Sequence, residues 1–168
     1  MKKIDGLSFL DYLKTRIMLL DGATGTALQL HGMMPGVCPE IYALEHPEVL
    51  KDIQRQYIEA GTRAIYTFTM GANAHKLKDF GIEKDMHRIN KELAALTAEV
   101  AGDRAFVGGD LSSTGSFLAP LGDLSFEEVV DMYKAQVGAL VEGGVDFIII
   151  ETMIDIQETR AAVIAAKE

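Results

Sequence analysis

The feature that most constrains the fold is a glycine-led apolar segment that occurs three times. The copies read "AGTRAIYT", "AGDRAFVG" and "GGVDFIII", and their glycines Gly61, Gly102 and Gly144 are 41 and 42 residues apart. This period fits one strand, one helix and the loops that join them. The apolar runs do not alternate with polar residues, which is typical of parallel strands covered on both faces. The repeat therefore predicts consecutive βα units.

Start and stop signals place the elements around these segments. Pro47 suits the first turn of a helix, and Ser125 with Glu128 forms a capping box before another. Each glycine of the repeat suits the left-handed position that ends a helix. We predict strands at 16–21, 63–69, 104–110 and 145–151. We predict helices at 47–60, 85–101, 126–142 and 155–167, with a short leading helix at 1–15.

Four βα units suit two architectures, a small doubly wound sheet and half of a (β/α)8 barrel. Eight-unit barrels are typically about 250 residues long, and this chain has 168. The chain ends inside a predicted helix without a stop signal, which favours the barrel. We therefore predict an α/β fold, a parallel (βα)4 half of a TIM (β/α)8 barrel, with residues 1–168 as one truncated domain.

Composition and charge narrow the classes of function. Apolar residues make up 48% of the chain, enough for a core, and the formal net charge of -9 argues against nucleic-acid binding. The apolar runs are too short to span a bilayer, and no signal-peptide pattern opens the chain. Cys38 is the single cysteine. We therefore expect a cytoplasmic protein with no internal disulfide and no zinc site built from its own cysteines.

Acidic residues end three of the four predicted strands. They are Asp21, Asp110 and Glu151, and the second strand ends at Thr69, shortly before Asn73. In both architectures, ligands bind at the carboxyl ends of the strands. Three carboxylates on one rim can bind a metal ion, a cationic ligand or a substrate ammonium. Each of them taken alone can equally be a cap for the next turn.

The stretch "LLDGATGT" at 19–26 is a poor phosphate loop. No lysine follows Gly25, as a P-loop requires, and the third glycine of the dinucleotide fingerprint is missing. The amides around Gly22 and Ala23 can instead hold a carboxylate. A carboxylate subsite beside an ammonium subsite at Asp21 and Glu151 would suit an amino acid.

Four segments resemble the homocysteine S-methyltransferase family, in that family's order. The nearest resemblance is to the homocysteine-binding domain at the N-terminus of cobalamin-dependent methionine synthases. Together the segments cover nearly the whole chain. They are "LLDGATGT" at 19–26, "TFTMGANAHKL" at 67–77, "GGDLSSTG" at 108–115 and "EGGVDFIIIETMIDIQE" at 142–158.

The resemblance implies a (β/α)8 barrel that transfers a methyl group to the thiol of homocysteine, giving methionine. It implies a zinc ion that is held by three cysteines and binds the thiol as a thiolate. The implied methyl donor is methylcobalamin, betaine or S-methylmethionine. The implied substrate-binding residues are Asp21, Gly22 and Ala23 in the pocket, Glu151 at the ammonium, and Thr69, Asn73 and Asp110 as rim or supporting residues.

The chain also departs from the family pattern. Phe68 and Met70 replace the Asn and Phe of Thr-Asn-Thr-Phe, and 112–115 lacks the proline of Gly-Pro-Thr-Gly. The family's zinc cysteines lie in the second half of the barrel, and Cys38 matches none of them. We therefore expect no metal ligand and no catalytic residue in this half, and no activity from the isolated chain.

The expected partners are homocysteine and, in the intact protein, a methyl donor or a cobalamin domain. Two alternatives stay open. One is a non-catalytic half-barrel that pairs with itself or with a companion chain through its open edges. The other is a small α/β protein that binds an amine or a cation at the acidic rim.

Overall fold

Three parallel strands form the centre of the molecule. The structure is a computed structural model that describes residues 2–168. Its strands are β1 (Ala64–Tyr66), β2 (Phe106–Leu111) and β3 (Phe147–Ile150), in the spatial order β1-β2-β3. Every residue of β2 is buried, whereas β3 is half-buried at the edge of the sheet. The α/β class and the parallel sheet are confirmed.

Helices follow each strand, and four of them match the predicted helices to within one residue. The helices are α1 (Phe9–Thr15), α2 (Thr24–Leu30), α3 (Pro39–Glu45), α4 (Pro47–Glu59), α5 (Ala74–Leu77), α6 (Met86–Ala101), α7 (Phe126–Glu142) and α8 (Ile156–Lys167). Two 3-10 turns, Lys78–Phe80 and Glu83–Asp85, precede α6. None of the described helices is both long enough and apolar enough to cross a membrane.

The predicted boundary signals act as expected. Ser125 Oγ accepts the N–H of Glu128, and the Glu128 side chain accepts the N–H of Ser125, which completes the capping box of α7. Gly61, Gly102 and Gly144 have φ angles of 110°, 47° and 94°, so each has the positive φ that favours glycine at the end of a helix. The leading helix is shorter than predicted. The leading helix begins only at Phe9, and Met1 lies outside the described residues.

The prediction of a regular strand at 16–21 is wrong. Within residues 2–168 this segment forms a single parallel bridge, between Leu20 and Ala64. The carbonyl of Leu19 accepts the N–H of Ala64 at 3.2 Å. At the next pairing position, Asp21 Oδ2 accepts the N–H of Tyr66 at 2.9 Å. Because a side-chain oxygen takes this bond in place of a backbone carbonyl, the regular ladder stops there.

Two layers of side chains enclose the sheet. On the outer side, Leu50 of α4, Leu93 of α6 and Leu140 of α7 are fully buried in apolar clusters beneath the helices. At the amino ends of the strands, α1 closes the molecule, and the ring of Phe9 stacks on that of Phe147 at 4.2 Å. The amino end is therefore filled, which leaves the carboxyl end as the open end of the sheet.

Close packing within the sheet depends on a glycine in β2. A Cβ atom at Gly108 would lie 2.7 Å from Phe147 Cζ and 3.0 Å from Tyr66 Cδ1. These separations are shorter than carbon contacts allow, so the aromatic rings of the neighbouring strands occupy the space that a side chain would need. The glycine thus lets Tyr66 and Phe147 meet across the central strand.

Candidate functional site

A cleft of about 740 Å³ opens at the carboxyl ends of the strands. Acidic side chains from the ends of three neighbouring segments form an acidic wall, and the rest of the lining comes from α2, α3, α5 and the segments next to them. The lining includes Asp21, Gly22, Ala23, Met33, Glu40, Tyr66, Phe68, Met70, Lys76, Asp110 and Glu151. The structure therefore brings Asp21, Asp110 and Glu151 into one cleft, together with the backbone of Gly22 and Ala23.

Asp110 lies deepest in the acidic wall. Its side chain and backbone are 5% exposed, and its Oδ1 atom is buried without a hydrogen-bond partner among the described residues. Its backbone N–H donates to Thr67 Oγ1 at 3.0 Å. Burial, reinforced by the negative charges of Glu151 and Asp21, raises the pKa of Asp110 to about 8. A buried oxygen that no protein donor satisfies is available to a donor from a ligand.

Asp21 shares this acidic environment but keeps one protein partner. Burial raises the pKa of Asp21 to about 6, while the N–H of Tyr66 opposes that shift and the charge of Glu151 adds to it. Burial and the same carboxylates raise the pKa of Tyr66 to about 12. Carboxylates that repel one another in a partly dry cleft favour a ligand with a positive charge.

The backbone at Gly22 approaches a helix closely. A Cβ atom at this position would lie 3.0 Å from Tyr57 Oη, and Thr24 Oγ1 donates to the Gly22 carbonyl at 3.3 Å. Ala23 follows as the residue that precedes α2. The glycine thus lets the turn pass against α4 while its backbone faces the cleft.

Thr69 and Asn73 lie beneath the rim, outside the residues that line the cleft. Both are fully buried. Thr69 Oγ1 donates to the carbonyl of Asp110 at 2.9 Å and lies 2.6 Å from Thr67 Oγ1. Asn73 Oδ1 accepts the N–H of Lys76 at 2.9 Å, which caps α5. These contacts support the loop that carries Phe68 and Lys76.

Sequence reasoning missed Glu40 and Lys76, which also line the cleft. Glu40, in the first turn of α3, is 5% exposed and accepts the N–H of Gly71 at 3.0 Å and the thiol of Cys38 at 3.3 Å. Lys76 is the single basic residue among the described lining residues. Pro39 in the first turn is a signal that could have revealed α3. Neither Glu40 nor Lys76 follows a strand, so the strand-end argument did not reach them.

The donor set does not fit the zinc ion that the family resemblance implies. Within residues 2–168, no group of three or more His, Cys, Asp and Glu side chains is arranged to hold a metal ion. Burial raises the pKa of the Cys38 thiol to about 11, and the thiol donates to Glu40. Zinc binds cysteine as the thiolate, so this protonated, buried thiol is a poor ligand.

Comparison with known proteins identifies the family. Residues 18–168 match the family model described as homocysteine S-methyltransferase. The chain belongs to the homocysteine S-methyltransferase family. Two curated relatives are methionine synthases, from Mycobacterium tuberculosis (strain ATCC 25618 / H37Rv) and Mycobacterium leprae (strain TN). They are 31% and 30% identical over 99% and 94% of this chain. The matches span only 15% and 14% of those proteins.

Solved structures of a family member share the fold. The homocysteine methyltransferase MmuM from Escherichia coli superposes with TM-scores of 0.74 in its metallated form and 0.76 in its oxidized form, each at 19% identity. Both matches cover 92% of this chain and 60% of the MmuM chain. This family member therefore has a longer fold, of which the present chain corresponds to a part.

Proposed function

We propose that this chain forms the homocysteine-binding part of a homocysteine S-methyltransferase, which transfers a methyl group to the homocysteine thiol and releases methionine. One observation carries the proposal. In a chain of this family, Asp110 presents an unsatisfied buried oxygen to a cleft that also holds Asp21 and Glu151. An ammonium group supplies both the hydrogen-bond donors and the positive charge that this wall lacks.

The substrate's two ends are assigned to two parts of the cleft. Glu151 and Asp21 bind the ammonium group, and Asp110 completes the acidic wall. The backbone at Gly22 and Ala23 holds the carboxylate, because amide N–H groups in a tight turn attract anions. Thr69 and Asn73 act from below, by fixing Asp110 and the loop before α5.

We also propose that residues 1–168 contribute a (βα)4 half to a TIM (β/α)8 barrel. The support is that the chain aligns with 60% of MmuM, and that β3, at the edge of the sheet, is only half-buried. In such a barrel, the zinc ion and the methyl donor are bound by residues beyond this half. The donor is methylcobalamin, betaine or S-methylmethionine. The chain on its own then binds the substrate without turning it over.

Calorimetry with L-homocysteine tests this proposal. We expect one molecule to bind per chain, and 4-mercaptobutyrate, which lacks the ammonium group, to bind at least tenfold more weakly. Glu151→Gln should weaken homocysteine binding by about tenfold, which is the cost of losing one charged partner. Glu127→Gln, on the exposed first turn of α7, is the matched control and should bind as the wild type does.

The outcomes separate the alternatives. Absence of homocysteine binding, or unchanged affinity in Glu151→Gln, would contradict the proposed site. Equal affinity for homocysteine and for simple amines would favour the amine-binding alternative. The half-barrel that pairs with itself predicts a dimer in sedimentation experiments. It would cover apolar edge residues such as Ile17 and Leu20, which are 89% and 49% exposed.

A further inference from the structure

A second buried carboxylate lies behind the acidic wall, and the cleft does not include it. Glu158, in the first turn of α8, is fully buried. Its Oε1 accepts the N–H of Thr114 at 2.6 Å and the hydroxyl of Tyr133 at 2.9 Å, and its Oε2 accepts the hydroxyl of Ser113 at 2.7 Å. All three donors are neutral. A carboxylate buried at this depth persists because several donors replace its water.

The donors to Glu158 join α7 and α8 to the loop that follows β2. Tyr133 is fully buried in α7, and its hydroxyl lies 2.9 Å from the carbonyl of Ser112 as well as from Glu158. Ser113 and Thr114 belong to the same loop. Burial and the neighbouring Glu158 charge raise the pKa of Tyr133, so its hydroxyl remains a donor. Glu158 in α8 and Tyr133 in α7 therefore both hold this loop through hydrogen bonds.

The end of β2 and the loop that follows it both hold the segment that carries Glu151. The N–H of Glu151 donates to the carbonyl of Leu111 at 3.0 Å, and Ser112 Oγ donates to the carbonyl of Thr152 at 3.4 Å. Thr152 has a φ angle of 50°, which is uncommon for a residue other than glycine. Such a conformation persists only where surrounding contacts hold it. Here those contacts lead from Thr152 through Ser112 to Tyr133.

We propose that Tyr133 and Glu158 are positioning residues that set the direction of Glu151 in the substrate cleft. They do so by fixing the loop at 112–114, whose Ser112 hydroxyl bonds the carbonyl of Thr152, the residue next to Glu151. This role rests on the proposed function, in which Glu151 binds the substrate ammonium. Neither residue lines the cleft among the described residues, so each acts through its neighbours.

A double-mutant cycle tests the proposal with the full chain and L-homocysteine. Tyr133→Phe removes one hydroxyl and keeps the ring, and it should weaken homocysteine binding about fivefold, as expected for one hydrogen bond. In the Glu151→Gln background, the same substitution should change affinity less than twofold, because its effect passes through Glu151. Additive effects of the two substitutions would overturn the proposal.

Amide hydrogen exchange gives a readout that does not depend on the ligand. Tyr133→Phe should speed exchange of the Thr114 and Glu151 N–H groups by at least fivefold relative to wild type. Tyr12→Phe is the matched control, since Tyr12 is 5% exposed in α1 at the opposite end of the sheet. It should leave exchange at Glu151 and homocysteine affinity unchanged.

Homocysteine affinity and amide exchange together distinguish failure of the proposed function from failure of the positioning role. If the wild type does not bind homocysteine, the proposed function fails, and exchange alone then decides whether Tyr133 controls the turn at Glu151. Unchanged exchange at Glu151 in Tyr133→Phe would overturn the positioning role, whatever the ligand result. Equal acceleration in Tyr12→Phe would show a general loss of stability and would overturn it as well.

Discussion

Two buried carboxylates at the carboxyl end of the sheet differ in how many protein hydrogen-bond donors they have. Glu158 is satisfied by three donors that come from α7 and from the loop after β2. Asp110 is almost equally buried, yet its Oδ1 has no partner within the described residues, and its pKa is raised to about 8. Under the proposed function, the difference separates a structural acid, Glu158, from a binding acid, Asp110. Protein donors surround the first, whereas one oxygen of the second accepts no hydrogen bond from the described residues.

The largest effect is expected from Glu158→Ala. This substitution leaves the Ser113 hydroxyl and the Thr114 N–H without their acceptor, leaves the Tyr133 hydroxyl only the carbonyl of Ser112, and opens a cavity. The free energy of unfolding should therefore fall by about 5 kcal/mol. Urea titration followed by circular dichroism measures it. Glu127→Ala on the helix surface should stay within about 0.5 kcal/mol of wild type. A loss below about 1 kcal/mol in Glu158→Ala would erase the contrast with Asp110.

Asp110→Asn should act in the opposite direction. In the wild type, the unfolded Asp110 carboxyl ionises near its ordinary pKa, whereas the folded group stays protonated until about pH 8. The stability that the neutral acid contributes is therefore complete below pH 4 and is lost as pH rises to 8. At pH 8 the variant should be more stable than wild type by several kcal/mol, since each unit between the unfolded and folded pKa is worth about 1.4 kcal/mol. At pH 4 the two should unfold alike.

Thermal and urea unfolding across this pH range check the prediction for Asp110. A variant that is less stable than wild type at pH 8 would mean that the native carboxylate has a partner there. It would then belong with Glu158 and not with the binding acids.

The third prediction concerns the pH dependence of binding. The pKa of Asp21 is raised to about 6 in the free protein, and protonation removes the negative charge with which Asp21 attracts the ammonium group. Homocysteine affinity should therefore fall by about tenfold per unit as pH drops below 6, or about 1.4 kcal/mol per unit. Calorimetry from pH 5 to pH 7.5 measures this slope. Asp21→Asn should bind weakly with a flat profile, and an unchanged slope in that variant would remove Asp21 from the ammonium site.

The smallest effect is expected at Glu40, whose hydrogen bonding is intermediate between that of Glu158 and that of Asp110. It lines the cleft, yet it accepts the N–H of Gly71 and the thiol of Cys38. Cys38→Ala removes one donor and should lower the free energy of unfolding by about 1 kcal/mol. Cys38→Ser restores a donor and should lose less. Urea titration compares the two variants, and a larger loss in the serine variant would show that packing of the sulfur matters more than its hydrogen bond.

Local signals made much of the fold predictable. The helices α4, α6, α7 and α8 begin and end at caps and breakers that lie within a few residues, such as Pro47 and the Ser125–Glu128 box. The segment at 16–21 was not predictable in this way. Its pairing ends because the Asp21 side chain takes the N–H of Tyr66, 45 residues away. Nothing in the neighbourhood of Asp21 signals that contact.

The candidate site was likewise only partly predictable from the sequence. Parallel strands align their carboxyl ends, so the sequence could predict that Asp21, Asp110 and Glu151 would share one rim. The number of donors around each carboxylate is set by tertiary packing and could not be predicted. Glu158 therefore resembled an ordinary acid in the first turn of a helix. Only the folded structure shows that it faces the loop after β2.

Gly108 has a consequence for how this protein can change over evolutionary time. The missing side chain admits the rings of Tyr66 and Phe147 across the central strand, and the N–H of Tyr66 holds Asp21. A side chain at position 108 would press on both rings, and a shift of Tyr66 that reached its backbone would weaken the bond to Asp21, a carboxylate that position 108 never touches. A side chain at 108 can therefore be gained only if the residues at 66 and 147 change with it.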